Sequence, residues 1–491
     1  MMATMPGLPM FGHGQFEGLT EKYGMEYRRA YKDERADEDL VRRHEREIVP
    51  LLKRRYLFSG VEDFLLYDLV RADGSVDENV FAYSNGHGGE RAIVFFNNAW
   101  ERTAGTVRRS CRFADKRPDG SRADATRSVA EGLGLRCGRG RYALVTETRS
   151  GLRYLRRSNE LARDGLAVTL EGFQCQVFID IHEIDDDEAG SYSALCDSLG
   201  GRGVPDIGWA LQDLALGELY AAWTAAFGSG YFRGAGSPVP VAFAPDRAAV
   251  SAFLSVAARF AARGRPEETA AEAIPAERLA TIADECLKIM ERASSPALAA
   301  RLESSPGAAQ AFAGLVSLLP VARVAEAYAA PSKAGSLAES WGMRRKLREA
   351  LVAAGHEPGS AETAAWFADV ALGRLDVVSE VGLSSLASLT PKAVAEAIAS
   401  DDDARALLGV NRWEDETWFD ADRYGIAAAL LAAAAVTIGG ADDARVIKSL
   451  KSIDAAALAA GWSLDRMTAE PVSRPPKAAG PRESKRQVPK E

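Results

Sequence analysis

The chain has 491 residues, 47% of them hydrophobic and 26% charged, with a formal net charge of −9. That length suggests about three domains, the composition excludes a wholly disordered chain, and the negative balance argues against a general polyanion partner. Five widely spaced cysteines without a Cys-x-x-Cys pair point to neither a zinc ribbon nor a disulfide framework, and fit a reducing cytoplasm.

In chain order, Gly7-Leu8-Pro9-Met10-Phe11 reads as a short apolar strand that ends in a glycine-broken loop carrying His13, Gln15 and Glu17. A polar, aromatic stretch with Tyr23 and Tyr27 follows. Asp37 to Tyr56 has helical spacing, with Asp37 as N-cap and Pro50 as a break. From Phe58 to Ile184 the period changes to two. Val80–Tyr83 and Arg91–Phe96 flank a glycine turn and predict a hairpin; further strands are expected at Phe64–Leu69, Tyr142–Thr146, Tyr154–Leu155, Leu166–Leu170 and Phe173–Ile184. Phe173, Cys175, Val177, Ile179 and Ile181 should share one face. A short helix is expected near Ser121–Gly132.

After Ile184 the chain is alanine-rich with helical spacing, over Ile207–Phe227, Asp246–Arg263, Pro266–Arg292, Ser295–Ala329, Ser336–Ala354, Ala361–Leu372, Pro391–Leu408 and Thr417–Leu458. Gly228–Gly236 and the Pro238-Val239-Pro240 run read as a linker. Ile426–Ile438 is apolar all round but shorter than the ~20 residues a bilayer span needs, so a buried core helix is expected and no membrane. Residues 469–491, with five prolines among Lys and Arg, are expected to be disordered.

The segment Gly7 to Gln15 resembles the last barrel strand of the α-amylase-type glycoside hydrolases (family 13), which typically read Gly-x-Pro-x-x-x-x-Gly, a polar residue and a Glu. Here Phe16 follows Gln15 and the acid comes one place later, at Glu17. A helix and a β-rich segment follow in the family's order, so the resemblance covers about the first third of the chain. It implies the end of a (β/α)8 barrel (last strand and helix only) in residues 1–57 and an antiparallel β-sandwich domain in 58–184; with the all-α alanine-rich domain that helical spacing places in 185–468 and the disordered tail in 469–491, the chain is expected to be an α+β protein. The resemblance also implies an α-glucan or oligosaccharide as partner, a barrel supplied by an upstream chain, and His13, Gln15, Glu17, Tyr23 and Tyr27 as substrate-binding residues. The family's catalytic carboxylates precede its last strand, and no Gly-x-Arg-x-Asp occurs later in this chain. Retaining glycosidases need two carboxyls ~5–5.5 Å apart. The chain is therefore expected to be inactive alone, with no catalytic residue, metal or cofactor of its own. The alternative is a non-catalytic carbohydrate-binding or protein-interaction protein, with Trp100 or Tyr83 stacking on a sugar.

Three other patterns could suggest chemistry. Asp180 to Glu188 is the densest acid cluster, with Asp180 and His182 on one strand face; the simpler reading is a strand entering an acidic linker. Gly132–Gly140 does not fit a dinucleotide fingerprint, because a strand follows it rather than a helix. Arg102 to Arg163 holds sixteen Lys or Arg against six Asp or Glu. Nucleic-acid binding is disfavoured there; a solvated face balanced by the acidic helical half explains the run without a recognition module.

Overall fold

The computed structural model describes residues 1–21, 31–116, 119–233, 246–263, 274–292, 295–328, 334–373 and 390–468. The protein is mixed α and β, and its antiparallel sheets are open. It divides into two compact units, Met1–Ala215 and Leu216–Glu491.

The first unit begins with turns and coil rather than a strand. Gly7 to Gln15 has no ladder partner, and Leu8 and Met10 are 91% and 77% exposed. A strand forms only where a neighbour takes up its backbone groups, so the apolar run alone does not make one. Arg55 gathers this segment instead. Its guanidinium donates to the carbonyls of Ala3, Met5 and Gly7.

The helical expectation over Asp37–Tyr56 resolves into α1 (Glu38–Glu47), α2 (Val49–Lys53) and α3 (Tyr56–Ser59). Asp37 caps α1 by accepting from the amides of Asp39 and Leu40, each at 3.1 Å. Pro50 falls in the first turn of α2, where its missing N–H costs nothing, so the helix restarts there.

Six strands form the main sheet in the order β1-β2-β3-β10-β7-β8: β1 (Leu65–Tyr67), β2 (Val80–His87), β3 (Glu90–Asn97), β7 (Arg141–Glu147), β8 (Arg153–Arg157) and β10 (Cys175–Asp185). β2 and β3 are the expected hairpin. His87 pairs with Glu90 across Gly88-Gly89, and Gly88 has φ +57°, which glycine adopts without strain. β4 (Thr103–Val107) pairs with β9 (Leu166–Leu170), and β5 (Phe113–Lys116) with β6 (Arg122–Ala125). The helix expected near Ser121–Gly132 is therefore partly strand; only α4 (Val129–Gly132) is helical.

Both faces of the main sheet are covered. Val80, Ala82, Ile93 and Phe95 share a core with Val107, Val168 and Leu170 from β4 and β9. On the other face Tyr83, Val94, Val177 and Ile179 pack with Leu51, Leu57 and Phe58 of the N-terminal helices. The expected alternation along β10 breaks at a bulge. Ile179 pairs with Thr146, but the next pair is His182 with Leu144, and Asp180 takes φ +51°. The extra residue turns Ile181 toward the β4/β9 core, away from Val177 and Ile179. It also removes the common face expected for Asp180 and His182.

The unit runs on past Ile184. Helices α5 (Ser191–Leu199) and α6 (Ile207–Ala215) bury Leu195, Leu199 and Ile207 against Tyr142 and Leu155 of β7 and β8. The single helix expected over Ile207–Phe227 ends at Ala215 and restarts at Gly217, and the division between the units falls at that break.

The second unit is helical around Ala308–Ala327, which is buried among its neighbours on nearly every side. Several expected helices break at left-handed glycines: Gly307 parts Pro296–Glu303 from Ala308–Ala327, and Gly342 parts Ala334–Ser340 from Met343–Ala353. Part of the expected linker is core, since Ser229–Arg233 is helical and buries Tyr231 and Phe232. A hairpin of Asn411–Trp413 and Glu416–Trp418 interrupts the expected helices, turning through Glu414 and Asp415 at φ +54° and +58°. Residues 469–491, expected to be disordered, lie outside the described residues.

Candidate functional site

The N-terminal loop is built from turns. Gln15 turns back on Gly12, accepting its amide at 3.0 Å, and Phe16 packs against the ring of His44 at 4.8 Å between centroids. His13, Gln15 and Glu17 are exposed. Gln15 lines a cavity of about 230 Å³ with Met1, Met2, Phe11, His44 and Ile48. Tyr23 and Tyr27 lie outside the described residues. Two carboxylates fasten the flanks of that stretch: Glu21 accepts from the amides of Tyr31 and Lys32 at 2.9 and 2.8 Å, and Glu34 from those of Thr20 and Glu21 at 3.1 and 2.9 Å. The hydrogen bonds from Thr20 and Glu21 hold the Glu34 carboxyl below its ordinary range.

A polar cleft of about 490 Å³ lies elsewhere on the same unit, lined among others by Arg43, Glu47, Glu147, Arg149, Phe173 and Gln174. Its charges are engaged with one another. Glu147 is buried and accepts from the amides of Arg149 and Ser150 and the Ser150 hydroxyl, at 3.1, 2.8 and 2.6 Å. Arg149 reaches Glu47 at 2.9 Å. Burial pushes the Glu47 carboxyl up, but Arg46, Arg149 and Arg43 outweigh it and hold the group below its ordinary range. A glycosidase acid must stay protonated near neutrality, which needs a shift the other way.

At Phe173 the cleft meets an aromatic corner. Trp100, in the turn between β3 and β4, is 83% exposed, and the Phe173 ring meets it edge-on at 4.8 Å. The turn after β9 is locked to the turn holding Trp100. The buried side chain of Asn97 donates to the carbonyls of Glu101 and Glu171 at 2.7 and 3.1 Å and accepts from Ala99 at 3.1 Å. The Phe173 amide donates to Ala99 at 3.0 Å, and Arg102 pairs with Glu171 at 3.2 Å. A Cβ on Gly172 would lie 2.3 Å from the Trp100 carbonyl oxygen, so only glycine allows the two turns this close. Phe173 takes φ +54°, a left-handed backbone that a bulky side chain rarely adopts.

Of the stacking candidates read from sequence, Trp100 is exposed and Tyr83 is not. Tyr83 is 1% exposed and its hydroxyl bonds Thr4 at 2.6 Å, because β2 is covered by the N-terminal helices. Phe173 was missed as a surface residue; its regular alternation with Cys175 and Val177 reads as core.

The acid cluster is spent on structure. Asp180 pairs with Arg54, Glu183 with Arg136 and Asp185 with Arg141; Asp186 accepts from the amides of Tyr192 and Ser193, and Asp187 from that of Ser191. Among the described residues no group of three His, Cys, Asp or Glu could hold a metal. Eight described residues of the basic run are likewise paired within the first unit. Arg102, Arg127, Arg136, Arg141, Arg149, Arg153, Arg157 and Arg163 each meet a carboxylate among residues 47–206.

One described helix, Ala308–Ala327, is long and apolar enough to cross a membrane, and 83% of its most apolar stretch is buried inside the protein. No family model, curated protein or solved structure matches the chain.

Proposed function

We propose that the chain is the C-terminal part of an α-amylase-type glycosidase or transglycosidase acting on α-glucans, and that it performs no hydrolysis alone. In this reading residues 1–57 are the end of a (β/α)8 barrel, and the main sheet with the β4/β9 pair forms a β-sandwich. The observation that carries it is the order of pieces: a Gly7–Gln15 segment similar to the family's last barrel strand, then helices, then an antiparallel β unit whose sheet those helices cover. The exposure of Leu8 and Met10 supports it, since apolar residues in a strand-like run call for a covering partner.

The test reads the genomic sequence upstream of the Met1 codon in all three frames. A barrel-coding stretch carrying the nucleophilic Asp, acid Glu and third Asp is the expected result. A promoter and ribosome site directly upstream, with no barrel, overturns the reading. Separately, α-glucoside turnover by the purified chain, abolished by mutating one of its own carboxylates, would overturn the claim of inactivity.

The exposure of Trp100 favours a second reading, a non-catalytic carbohydrate-binding protein.

A further inference from the structure

We propose that Trp100 and Phe173 form a carbohydrate subsite on the β unit that takes a pyranose ring of an α-glucan chain. The choice of an α-glucan rests on the function proposed above; the sugar-stacking surface itself rests on the local geometry.

Three observations meet at this corner. An indole 83% exposed presents a large apolar face to solvent, and the Phe173 ring, 45% exposed, stands perpendicular beside it. The turns that carry both rings are held firmly. Asn97 clamps their two turns, the Phe173 amide bonds Ala99, and Gly172 lets the backbones touch. Aromatic side chains carried on turns fixed before binding leave only their own few rotamers to be ordered on contact, which favours binding of a weak surface ligand. Phe173 also occupies a left-handed backbone, an unfavourable state retained where the surrounding bonds impose it.

The rim suits the rest of a sugar. A pyranose has an apolar C–H face for an indole and a ring of hydroxyls at its edge. Exposed Arg102 and Glu171 bridge the two turns beside Trp100, and Gln174 carries the polar surface into the cleft of about 490 Å³. These are the donors and acceptors that orient hydroxyls.

The experiment is affinity electrophoresis of the full chain in native gels cast with amylopectin, with a mixed-linkage β-glucan, or with neither. Amylopectin should retard the chain, Trp100→Ala should weaken retention about tenfold or more, and Trp100→Phe should restore part of it. An unchanged melting temperature of Trp100→Ala is the folding control. Retention by β-glucan alone, lost with Trp100, upholds the subsite and removes the α-glucan reading. Amylopectin retention that survives Trp100→Ala overturns the subsite and leaves that reading standing. No retention in either gel also overturns the subsite, while the upstream sequence still decides the parent reading independently.

Discussion

At the scale of single residues, the first unit depends on a few side chains that serve backbone rather than other side chains. Asn97 holds two turns through three hydrogen bonds, and its removal leaves the Glu101 and Glu171 carbonyls and the Ala99 amide without that partner. Asn97→Ala should cost about 3 kcal/mol, since it removes three partly buried bonds of about 1 kcal/mol each. Urea denaturation measures it. Gly172→Ala puts a methyl 2.3 Å from a backbone oxygen that cannot swing aside, so the turns must part at a cost of about 1–3 kcal/mol. Arg55 plays the same part for the N-terminal segment, drawing three carbonyls to one guanidinium. Arg55→Met should leave the sheet intact but speed amide exchange over residues 1–19, read by hydrogen–deuterium exchange.

At the scale of elements, α1 combines a good start with a crowded end. Asp37 caps its first turn, and Asp37→Ala should lower stability by about 1 kcal/mol. Glu47 sits in the last turn, where the helix dipole disfavours an anion, and Arg43, Arg46 and Arg149 hold it there. Because its folded pKa lies below the unfolded value, the carboxylate contributes stability that is complete above the ordinary Glu value of about 4.3 and is lost as pH falls through the folded value. Glu47→Gln should therefore flatten the acid limb of stability below the ordinary Glu range, measured as urea midpoints against pH. Pattern and element agree best where one face is buried and caps are local, as in β2, β3 and α1. They part at β10, where a bulge moved Ile181 to the opposite face although the alternation in sequence continues unbroken.

At the scale of the whole molecule, each unit has cores of its own: three beneath and beside the sheet of the first, and one large helical core in the second. Residues 1–215 and 216–468, expressed separately, should each fold, the first with mixed α/β and the second with helical circular dichroism. An unfolded fragment would show that the division does not mark independent folding. The helical core holds a partly buried triad in which Arg301 pairs with Asp454 at 2.7 Å and the Tyr424 hydroxyl donates to the same carboxylate at 3.0 Å. Asp454→Ala should cost about 3 kcal/mol, because it strands a half-buried guanidinium, while Tyr424→Phe should cost about 1 kcal/mol.

The sequence alone determined what depends on neighbours along the chain. The Gly88-Gly89 hairpin, the Asp37 cap, the break at Pro50 and the change from period two to helical spacing need only local sterics and the alternation of apolar residues. The likeness of Gly7–Gln15 to a barrel strand is also written in residues, but whether such a run becomes a strand depends on a neighbour to pair with, and here it is coil. Tertiary structure decided the rest. It buried Tyr83 and exposed Trp100, though both are aromatic residues beside the same hairpin, because helices cover one face of β2, while among the described residues the turn after β3 meets only the turn after β9 and leaves the indole 83% exposed. It paired eight residues of the basic run with carboxylates up to more than one hundred positions away, and set the division between units at a single residue inside a continuous helical pattern. Each of these depends on which surfaces meet in space, and residue spacing carries no record of that.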